Sequence, residues 1–479
     1  MLGFVVMGYH PGIEDDGVYL SAIKSDLNPA LYPHDSEFFR VQLQATVFDK
    51  CIADFIRFTH IPTGVTELLW QFISITLIIF ACWSIARLIF DNEFAQWAAV
   101  AMVSAMLTLP VAGTALYLAD QHLHPRNVST ALILLAVSRI LVQRHRQAIP
   151  LLVVAFVLHP IMASFGIAFC LVLTVCLLDP VNVWLRSWRV IPVRGTIVSV
   201  IPLAWVFEDP TPIWRKALAT RSYYFLYQWT WYEWLGAVGP LLIFWFLWRT
   251  AEKRGNTPLA RFSLAVFVFG TVQQLIAMAI LATPRLVRLT PLQPMRFLHL
   301  VYYCLALVGG GLLGQYLLKS SRWRWAVYLL LLNVPMFAAQ RDLFNNSPHL
   351  ELPSVRSSNP WLQAFSWIRS NTPTDAYFAL DPRYLAAPGE DYHSFRALAE
   401  RSQLADIIKD TSVVTQVPDL GPEWEKEVTA QQGWKTFKLA DFERLRAQFG
   451  VNYALVAYPA PPGLACRWHN ATLSVCQIP

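Results

Sequence analysis

Between residues 65 and 340, long apolar runs alternate with short polar or basic segments. A lipid hydrocarbon core is crossed by about 20 apolar residues in helical form. The pattern therefore predicts a polytopic α-helical membrane protein with about 10–11 membrane helices, the first of which is cut short at the amino terminus. The complete runs are 65–90, 97–118, 128–142, 148–158, 161–178, 195–208, 229–248, 262–281, 297–318 and 325–340.

The basic residues predict which ends of these helices face the cytoplasm, because Lys and Arg are retained on that side of the membrane. They group at 144–146, 186–194, 249–261 and 319–324. Alternation from these inner segments predicts five outer segments, which are 1–64, 119–127, 209–228, 282–296 and everything after 341.

The run at 148–178 lies between two of the basic segments, so it should enter and leave the membrane on the same side. His159-Pro160 marks the expected turn, because proline lacks an amide proton and pushes the residue before it out of helical geometry. The alternative is one long kinked helix with His159 in a packed core. That alternative would place three arginines on the outer side.

Two extramembrane regions flank the helices, and the predicted division is 1–64, 65–340 and 341–479. Apolar residues recur at helical spacing over 36–60, which predicts amphipathic helices in the membrane interface. The last region has the dispersed charge of a small α/β domain on the outer side. Its predicted elements are helices at 361–370 and 441–449, strands at 376–380 and 451–458, and a hairpin bridged by Cys466 and Cys476.

The composition is typical of a membrane protein, and the net charge argues against a nucleic-acid partner. Hydrophobic residues make up 55% of the chain and charged residues 15%, against about 25% charged in ordinary soluble domains. A soluble globule of this composition would expose large apolar patches. The net charge of +6 is too small to indicate a nucleic-acid partner. The sequence also contains no P-loop, GxSxG or dinucleotide-binding fingerprint.

Three consecutive carboxylates, Glu14, Asp15 and Asp16, follow the apolar residues at the amino terminus. Like charges so close together repel one another unless a cation lies between them. This combination suits a general base, or an anchor for a divalent metal ion such as Mg²⁺ or Mn²⁺. The alternative is that Asp15 or Asp16 only caps the helix that follows, which is a common role for aspartate.

Arginines on the outer side form a second candidate site. Positive charge is depleted in short outer segments, yet Arg285, Arg288 and Arg296 share one that has no acidic residue. Guanidinium groups bind phosphate oxygens in a bidentate manner. The segment therefore predicts a lipid-phosphate site, joined by His299 at the outer end of the next helix. Ordinary membrane-lipid head groups, or the acidic first region, are the alternative partners.

Two other outer segments contain candidate substrate-binding residues. Arg126 is a further candidate for binding phosphate. The neighbouring His122 and His124 have a poor spacing for a metal site and are interpreted as polar residues on the protein surface. In the first region, His34 and Asp35 bring an imidazole next to a carboxylate in a rigid, turn-rich stretch.

An acidic cluster in a first outer loop, amphipathic segments, many membrane helices and a C-terminal outer domain together resemble the C-type glycosyltransferase superfamily. The resemblance covers the architecture of most of the chain and, among residues, only Glu14, Asp15 and Asp16. It implies transfer of a sugar from a polyprenyl-phosphate donor to a lipid, glycan or protein acceptor at the outer face of a bacterial inner membrane. It also implies that these acids act on the acceptor or hold a metal ion. The alternatives are a lipid-glycan transporter or flippase and a non-catalytic membrane scaffold.

Overall fold

The computed structural model describes residues 1–41, 44, 46–178, 208–353 and 355–479. The predicted run 195–208 lies outside the described residues except for its last position. Within the described part, five helices are long and apolar enough to cross a membrane, which is fewer than the predicted number because several apolar runs form shorter helices. The five are Thr63–Ile89, Pro160–Leu177, Trp231–Lys253, Thr257–Ala282 and Pro294–Leu318.

The first region contains four helices, which are α1 (Leu2–Met7), α2 (Asp16–Leu27), α3 (Glu37–Arg40) and α4 (Phe48–Thr59). Within its described residues, the amphipathic stretch at 36–60 contains the two helices α3 and α4. Thr46 Oγ1 accepts the backbone amide of Phe48 at 3.2 Å, which satisfies a donor that has no partner within α4. The buried side of α4 packs against α2. Protein covers this apolar face, which the pattern had assigned to the membrane interface.

The apolar region continues as a set of packed helices. They are α5 (Thr63–Ile89), α6 (Glu93–Ala105), α7 (Pro125–Leu141), α8 (His145–Leu158), α9 (Pro160–Leu177), α10 (Pro212–Ala219), α11 (Trp231–Lys253), α12 (Thr257–Ala282), α13 (Leu298–Leu313) and α14 (Arg322–Leu343). A Cβ on Gly310 of α13 would lie 2.6 Å from the carbonyl oxygen of Ala98 on α6. The absence of a side chain thus allows these two helices to pack closely.

The predicted run 97–118 is only partly helical. After α6 ends, the chain forms a short antiparallel hairpin of β1 (Pro110–Val111) and β2 (Leu116–Tyr117). Gly113, between the two strands, has a φ of 61°, which glycine adopts without strain. The hairpin is itself apolar, so hydropathy alone could not separate it from the helix before it.

The turn predicted at His159-Pro160 is present, and it reverses the chain. His159 has a φ of −151° and a ψ of 86°, and it separates α8 from α9. Ser129 Oγ on α7 donates to the carbonyl oxygen of Ala155 near the end of α8. Further along α7, Ile133 contacts Gly166 on α9. The two helices therefore run along α7 in opposite directions, and a single kinked helix is excluded.

The C-terminal region is an α/β domain, as predicted. Its elements are α15 (Pro360–Asn371), β3 (Tyr377–Ala379), α16 (Phe395–Ala399), β4 (Ser402–Gln403), α17 (Asp410–Gln416), α18 (Gly421–Ala430), α19 (Leu439–Phe449), β5 (Tyr453–Ala457), β6 (Ala465–His469) and β7 (Leu473–Gln477). The strand order is β4-β3-β5-β7-β6. Strand β3 pairs in parallel with β4 and β5, and β7 pairs antiparallel with β5 and β6. The expected disulfide between Cys466 and Cys476 joins β6 and β7.

The C-terminal domain holds the first region through backbone hydrogen bonds. The amide of Ser394 donates to the carbonyl oxygen of Gly12 at 2.8 Å, and the amide of Glu14 donates to that of Tyr392 at 3.1 Å. Both bonds involve residues at or next to the acidic cluster. The position of the cluster is therefore set by a domain that lies far away in sequence.

Candidate functional site

A cavity of about 820 Å³ lies between the apolar helices and the C-terminal domain. This volume is within the range of small-molecule binding sites. All five segments that the charge pattern predicts to be on the outer side contribute to its wall, and so does the turn at His159. The polar lining includes Glu14, Asp15, His122, His124, Arg126, Arg221, Tyr223, Gln293, Arg296, Tyr392 and Lys409.

Glu14 and Asp15 share one cation, the ammonium group of Lys409. Lys409 Nζ lies 2.5 Å from Glu14 Oε2 and 3.1 Å from Asp15 Oδ1. Partial removal from bulk water inside the cavity opposes ionisation of Asp15, but the positive charges of Lys409 and Arg126 hold its pKa well below the ordinary value. Burial likewise opposes the charge on Lys409, but the two acids hold its pKa above the ordinary value. Asp15 and Lys409 are therefore both charged at neutral pH.

Asp16, the third predicted acid, does not reach the cavity. It is 1% exposed, and its Oδ2 accepts the backbone amide of Gly12 at 2.6 Å. Burial, and then the negative charge of Glu67, raise the pKa of Asp16 well above the ordinary value. Successive side chains at the start of a helix point in different directions, so Asp15 faces the cavity and Asp16 faces the protein interior. The side chain of Asp15 makes no capping hydrogen bond to α2, so the capping alternative does not explain it.

The same cavity contains buried guanidinium nitrogens. Arg126 is 4% exposed and pairs with Asp120, with Nε 3.0 Å from Oδ2 and Nη2 2.5 Å from Oδ1. Its remaining nitrogen, Nη1, is buried and has no hydrogen-bond partner in the described part of the chain. The same is true of Arg296 Nε. An unsatisfied buried donor costs about 1–3 kcal/mol, so these atoms indicate a ligand with anionic oxygen acceptors.

Two helices begin at the cavity, each with a His-Pro sequence. His124 precedes α7, and its Nδ1 accepts the amide of Arg126 at 2.9 Å. His159 precedes α9, and its Nδ1 accepts the amide of Met162 at 3.4 Å. Because Nδ1 is the acceptor, the neutral ring carries its proton on Nε2. The partial positive charge of the two helix N-termini adds to that of the arginines and favours an anion here.

His122 and His124 are buried, so the prediction that they lie on the protein surface is wrong. They are 3% and 2% exposed. Burial lowers the pKa of His122 to about 4 and that of His124 well below the ordinary value, so both rings are neutral at pH 7. Neither ring nitrogen of His122 has a hydrogen-bond partner among the described residues. Local polarity missed this burial because it arises from tertiary contacts.

Three residues predicted to bind phosphate lie away from the cavity wall. Arg285 is exposed to solvent. Arg288 Nε donates to the carbonyl oxygen of Glu208 at 2.9 Å, and His299 Nε2 lies 2.8 Å from that of Leu118 within the helix core. The segment divides because its two 3₁₀ helices, Pro284–Leu292 and Pro294–Phe297, meet at a residue in left-handed geometry. Of the three arginines in the segment, only Arg296 lines the cavity, and it belongs to the second 3₁₀ helix.

His34 and Asp35 contact the C-terminal domain and not the cavity. The ring of His34 stacks on that of Tyr377, with centroids 4.5 Å apart, and the hydroxyl of Tyr377 donates to Asp35 Oδ2. The pair predicted to bind substrate therefore connects the first region to β3.

The acids do not fit a divalent metal site. Among the described residues, no group of three or more His, Cys, Asp or Glu side chains is arranged to hold a metal ion. Lys409 occupies the position between Glu14 and Asp15 where a shared cation would lie. The imidazole of His124 is 3.8 Å from Asp15 Oδ2.

Sequence reasoning missed two cationic residues of this cavity. Lys409 follows Glu14 by 395 positions and carries no local signal, because it lies in a region with the composition of a soluble domain. Arg221 had a usable signal. It lies in a segment predicted to be on the outer side, where positive charge is depleted, although this segment, unlike 282–296, also contains Asp209.

Comparison with models of known protein families yields no match for this chain, and a search of curated protein sequences yields none either. The interpretation of the cavity therefore depends on its own geometry and charges.

Proposed function

We propose that this chain is a membrane glycosyltransferase of the C type that transfers a sugar from a polyprenyl-phosphate donor to an acceptor hydroxyl. One observation carries the proposal: a single cavity contains two ion-paired carboxylates and buried guanidinium nitrogens that have no hydrogen-bond partner among the described residues. Glycosyl transfer needs both kinds of group, because the acceptor loses a proton while the leaving phosphate gains negative charge. The five apolar helices in the described part of the chain suit a protein whose donor is carried by a lipid.

In this proposal the donor phosphate binds between Arg126 and Arg296. Arg126 Nη1 and Arg296 Nε would each donate to a phosphate oxygen and lose their unsatisfied state. The Nε2–H groups of His124 and His159 are neutral donors that can approach an anion without adding charge. These arginine and histidine donors together suit a phosphate, because a phosphate presents several acceptor oxygens to different donors.

The acceptor hydroxyl would approach Asp15. The oxygen of the acceptor hydroxyl forms a bond to the anomeric carbon of the sugar. The bond from that carbon to the phosphate oxygen breaks, and the electron pair of this bond stays on the phosphate. The hydroxyl proton passes to the Asp15 carboxylate. Since Lys409 keeps this carboxylate ionised and weakly basic, the proton moves late, when the attacking oxygen has already become acidic. Inversion at the sugar carbon is the simplest stereochemical outcome.

The proposal is tested by turnover and binding with the purified full chain in lipid nanodiscs. Release of polyprenyl phosphate from a panel of labelled polyprenyl-phosphate sugars is measured with bacterial membrane extract as the acceptor source. Asp15→Asn should lose turnover by at least about 100-fold while donor binding survives. Asp16→Asn is the matched control, because Asp16 is buried beside Asp15 and does not line the cavity.

The alternatives give different results in the same measurements. Donor binding without turnover in the wild type would contradict a transferase and favour a flippase or transporter for lipid-linked sugars. Neither binding nor turnover would favour a structural membrane protein, in which the acids and arginines only stabilise the fold. Equal loss of turnover in Asp15→Asn and Asp16→Asn would count against the assignment of Asp15.

A further inference from the structure

The backbone at Lys409 is held rigidly within the C-terminal domain. Asp406 Oδ1 accepts the amide of Ile408 at 2.7 Å and that of Lys409 at 2.5 Å. Arg396 and Asp410 form a buried bidentate ion pair directly after it, with Nη1 2.7 Å from Oδ1 and Nη2 3.0 Å from Oδ2. This network fixes the start of α17, so Lys409 leaves it in a defined direction.

Arg221, which belongs to the region 65–340, holds the same turn from the opposite side of the domain boundary. Arg221 Nη2 donates to the carbonyl oxygen of Ile408, and it also donates to Thr411 Oγ1 at 3.1 Å. Only 14% of the Lys409 side chain is exposed. The lysine is therefore a fixed part of the cavity wall, which distinguishes it from a flexible surface lysine that happens to meet an acid.

The backbone of Glu14 allows both acids to reach this one ammonium group. Glu14 has a φ of 50°, a left-handed geometry that is strained for a residue with a side chain. Its amide is held by the carbonyl oxygen of Tyr392. With Lys409 on Oδ1, the other oxygen of Asp15, Oδ2, is turned toward the side of the cavity where His124 lies.

We propose that Lys409 is a positioning residue, supplied by the C-terminal domain, which clamps Glu14 and Asp15 so that Asp15 presents one ionised oxygen to the acceptor hydroxyl. Its role in turnover rests on the proposed function, whereas the clamp itself does not. Without Lys409 the two carboxylates repel each other, and one of them turns away or takes up a proton. The C-terminal domain thereby becomes a necessary part of the site.

The effect on turnover is measured as a pH profile. The titratable and charged groups that face Asp15 are Glu14, Tyr19, His122, His124, Arg126, Arg296 and Lys409. In Lys409→Met, the acidic limb of kcat should move to higher pH and kcat at neutral pH should fall at least about tenfold. KM for the donor should stay unchanged, because the arginines are intact. Lys409→Arg, which keeps the charge, should restore the position of the acidic limb.

The matched control is Lys216→Met. Lys216 Nζ also bridges to the C-terminal domain, 2.8 Å from Glu425 Oε1, but it is half-exposed and does not line the cavity. Its removal should leave the pH profile unchanged. A shift in both lysine variants would show that general weakening of the domain contact is responsible, and would overturn the specific role of Lys409.

A second measurement does not depend on turnover. A water-soluble carbodiimide with glycinamide modifies protonated carboxyl groups, and mass spectrometry of the peptide that spans Asp15 reports the extent. Asp15 is accessible to the reagent because its side chain is 43% exposed in the cavity. At pH 6, Lys409→Met should label about tenfold faster than the wild type, and Lys409→Arg should not.

The two measurements separate the two proposals. Equal labelling of Asp15 in the wild type and in Lys409→Met would overturn the clamp, whatever the turnover. If Asp15 is labelled faster in Lys409→Met but the wild type turns over no polyprenyl-phosphate sugar, the clamp is supported and the transferase is contradicted.

Discussion

Asp120 fixes the guanidinium group of Arg126 before any ligand arrives. Two charge-assisted hydrogen bonds join the side chains, at 3.0 and 2.5 Å. Asp120 is itself held through its backbone, because its carbonyl oxygen accepts from Gln71 Nε2 at 2.6 Å and its amide donates to Asn127 Oδ1 at 3.1 Å. A preorganised donor at Arg126 needs no reorganisation when an anion binds.

Removing the charge of Asp120 should therefore destabilise the protein and weaken anion binding together. Asp120→Asn leaves a buried guanidinium without its counter-ion, which should lower the free energy of unfolding by about 3 kcal/mol. Urea unfolding checks this value. Asp209→Asn is the control, because the contact between Asp209 and Arg215 is long, at 4.0 Å, and lies in solvent. Similar losses in the two variants would contradict a special role for the buried pair.

Arg296 and Arg285 should differ in their effect on the lipid phosphate. Arg296→Ala removes a guanidinium group that lines the cavity and should weaken binding of polyprenyl phosphate at least about tenfold. Arg285→Ala removes an exposed arginine from the same segment and should leave binding unchanged. Quenching of tryptophan fluorescence by titrated polyprenyl phosphate provides both dissociation constants. Equal weakening would indicate ordinary head-group attraction, in which position within the segment has no effect.

Glu351 should contribute stability in a defined pH window. It joins the first region to the C-terminal domain, because His10 Nδ1 lies 2.7 Å from its Oε1 and His393 Nε2 lies 3.0 Å from both its oxygens. Against the effect of burial, the two histidines lower the pKa of Glu351 to about 2. Also against burial, Glu351 raises the pKa of His393 above the ordinary value.

The signs of these shifts set the window. A lowered acid pKa stabilises the fold above the ordinary glutamate pKa, and this contribution is lost as pH falls toward 2. A raised histidine pKa stabilises the fold below the ordinary histidine pKa, and this contribution is lost as pH rises through the value in the fold. Glu351→Gln should therefore cost about 2–3 kcal/mol at pH 5.5 and less at pH 9. Equal melting-temperature losses at the two pH values would contradict the ion pair.

Gly113 should tolerate no side chain. A Cβ there would collide with the ring of Trp229, and its φ of 61° adds strain for any other residue. Gly113→Ala should lower the free energy of unfolding by about 1–3 kcal/mol more than Gly255→Ala does. Gly255 also has a positive φ, but no described residue would lie within 4 Å of its Cβ, so the comparison isolates the collision. The difference in thermal unfolding between the two variants checks this expectation, and equal losses would mean that backbone strain alone matters.

Element type was predictable where one local signal decided it. The break at His159-Pro160 follows from a missing amide proton, and the strands of the C-terminal domain follow from short apolar runs between turn residues. The hairpin at 110–117 was not predictable in the same way. Its residues are as apolar as those of the helix before it, and its shape depends on Trp229, which packs on Gly113 from another part of the chain.

The site shows the same division. Charge sign along the chain predicted five outer segments, and all five contribute to one cavity. Of the side chains selected within these segments, Glu14, Asp15, Arg126 and Arg296 line this cavity. Asp16 turns into the interior, and Arg285 into solvent, because neighbouring residues of a helix or 3₁₀ turn face different directions.

The sequence by itself determined the apolar character of the helices, the break at His159-Pro160 and the chemical types of residue available to a site, since hydropathy, proline and charge act locally. Only the tertiary structure decided which of those residues meet. Lys409 lies between Glu14 and Asp15 because the C-terminal domain pairs its backbone with the first region, and Arg126 faces the cavity because Asp120 holds it. Such contacts join positions as many as 395 residues apart, and no local pattern encodes them.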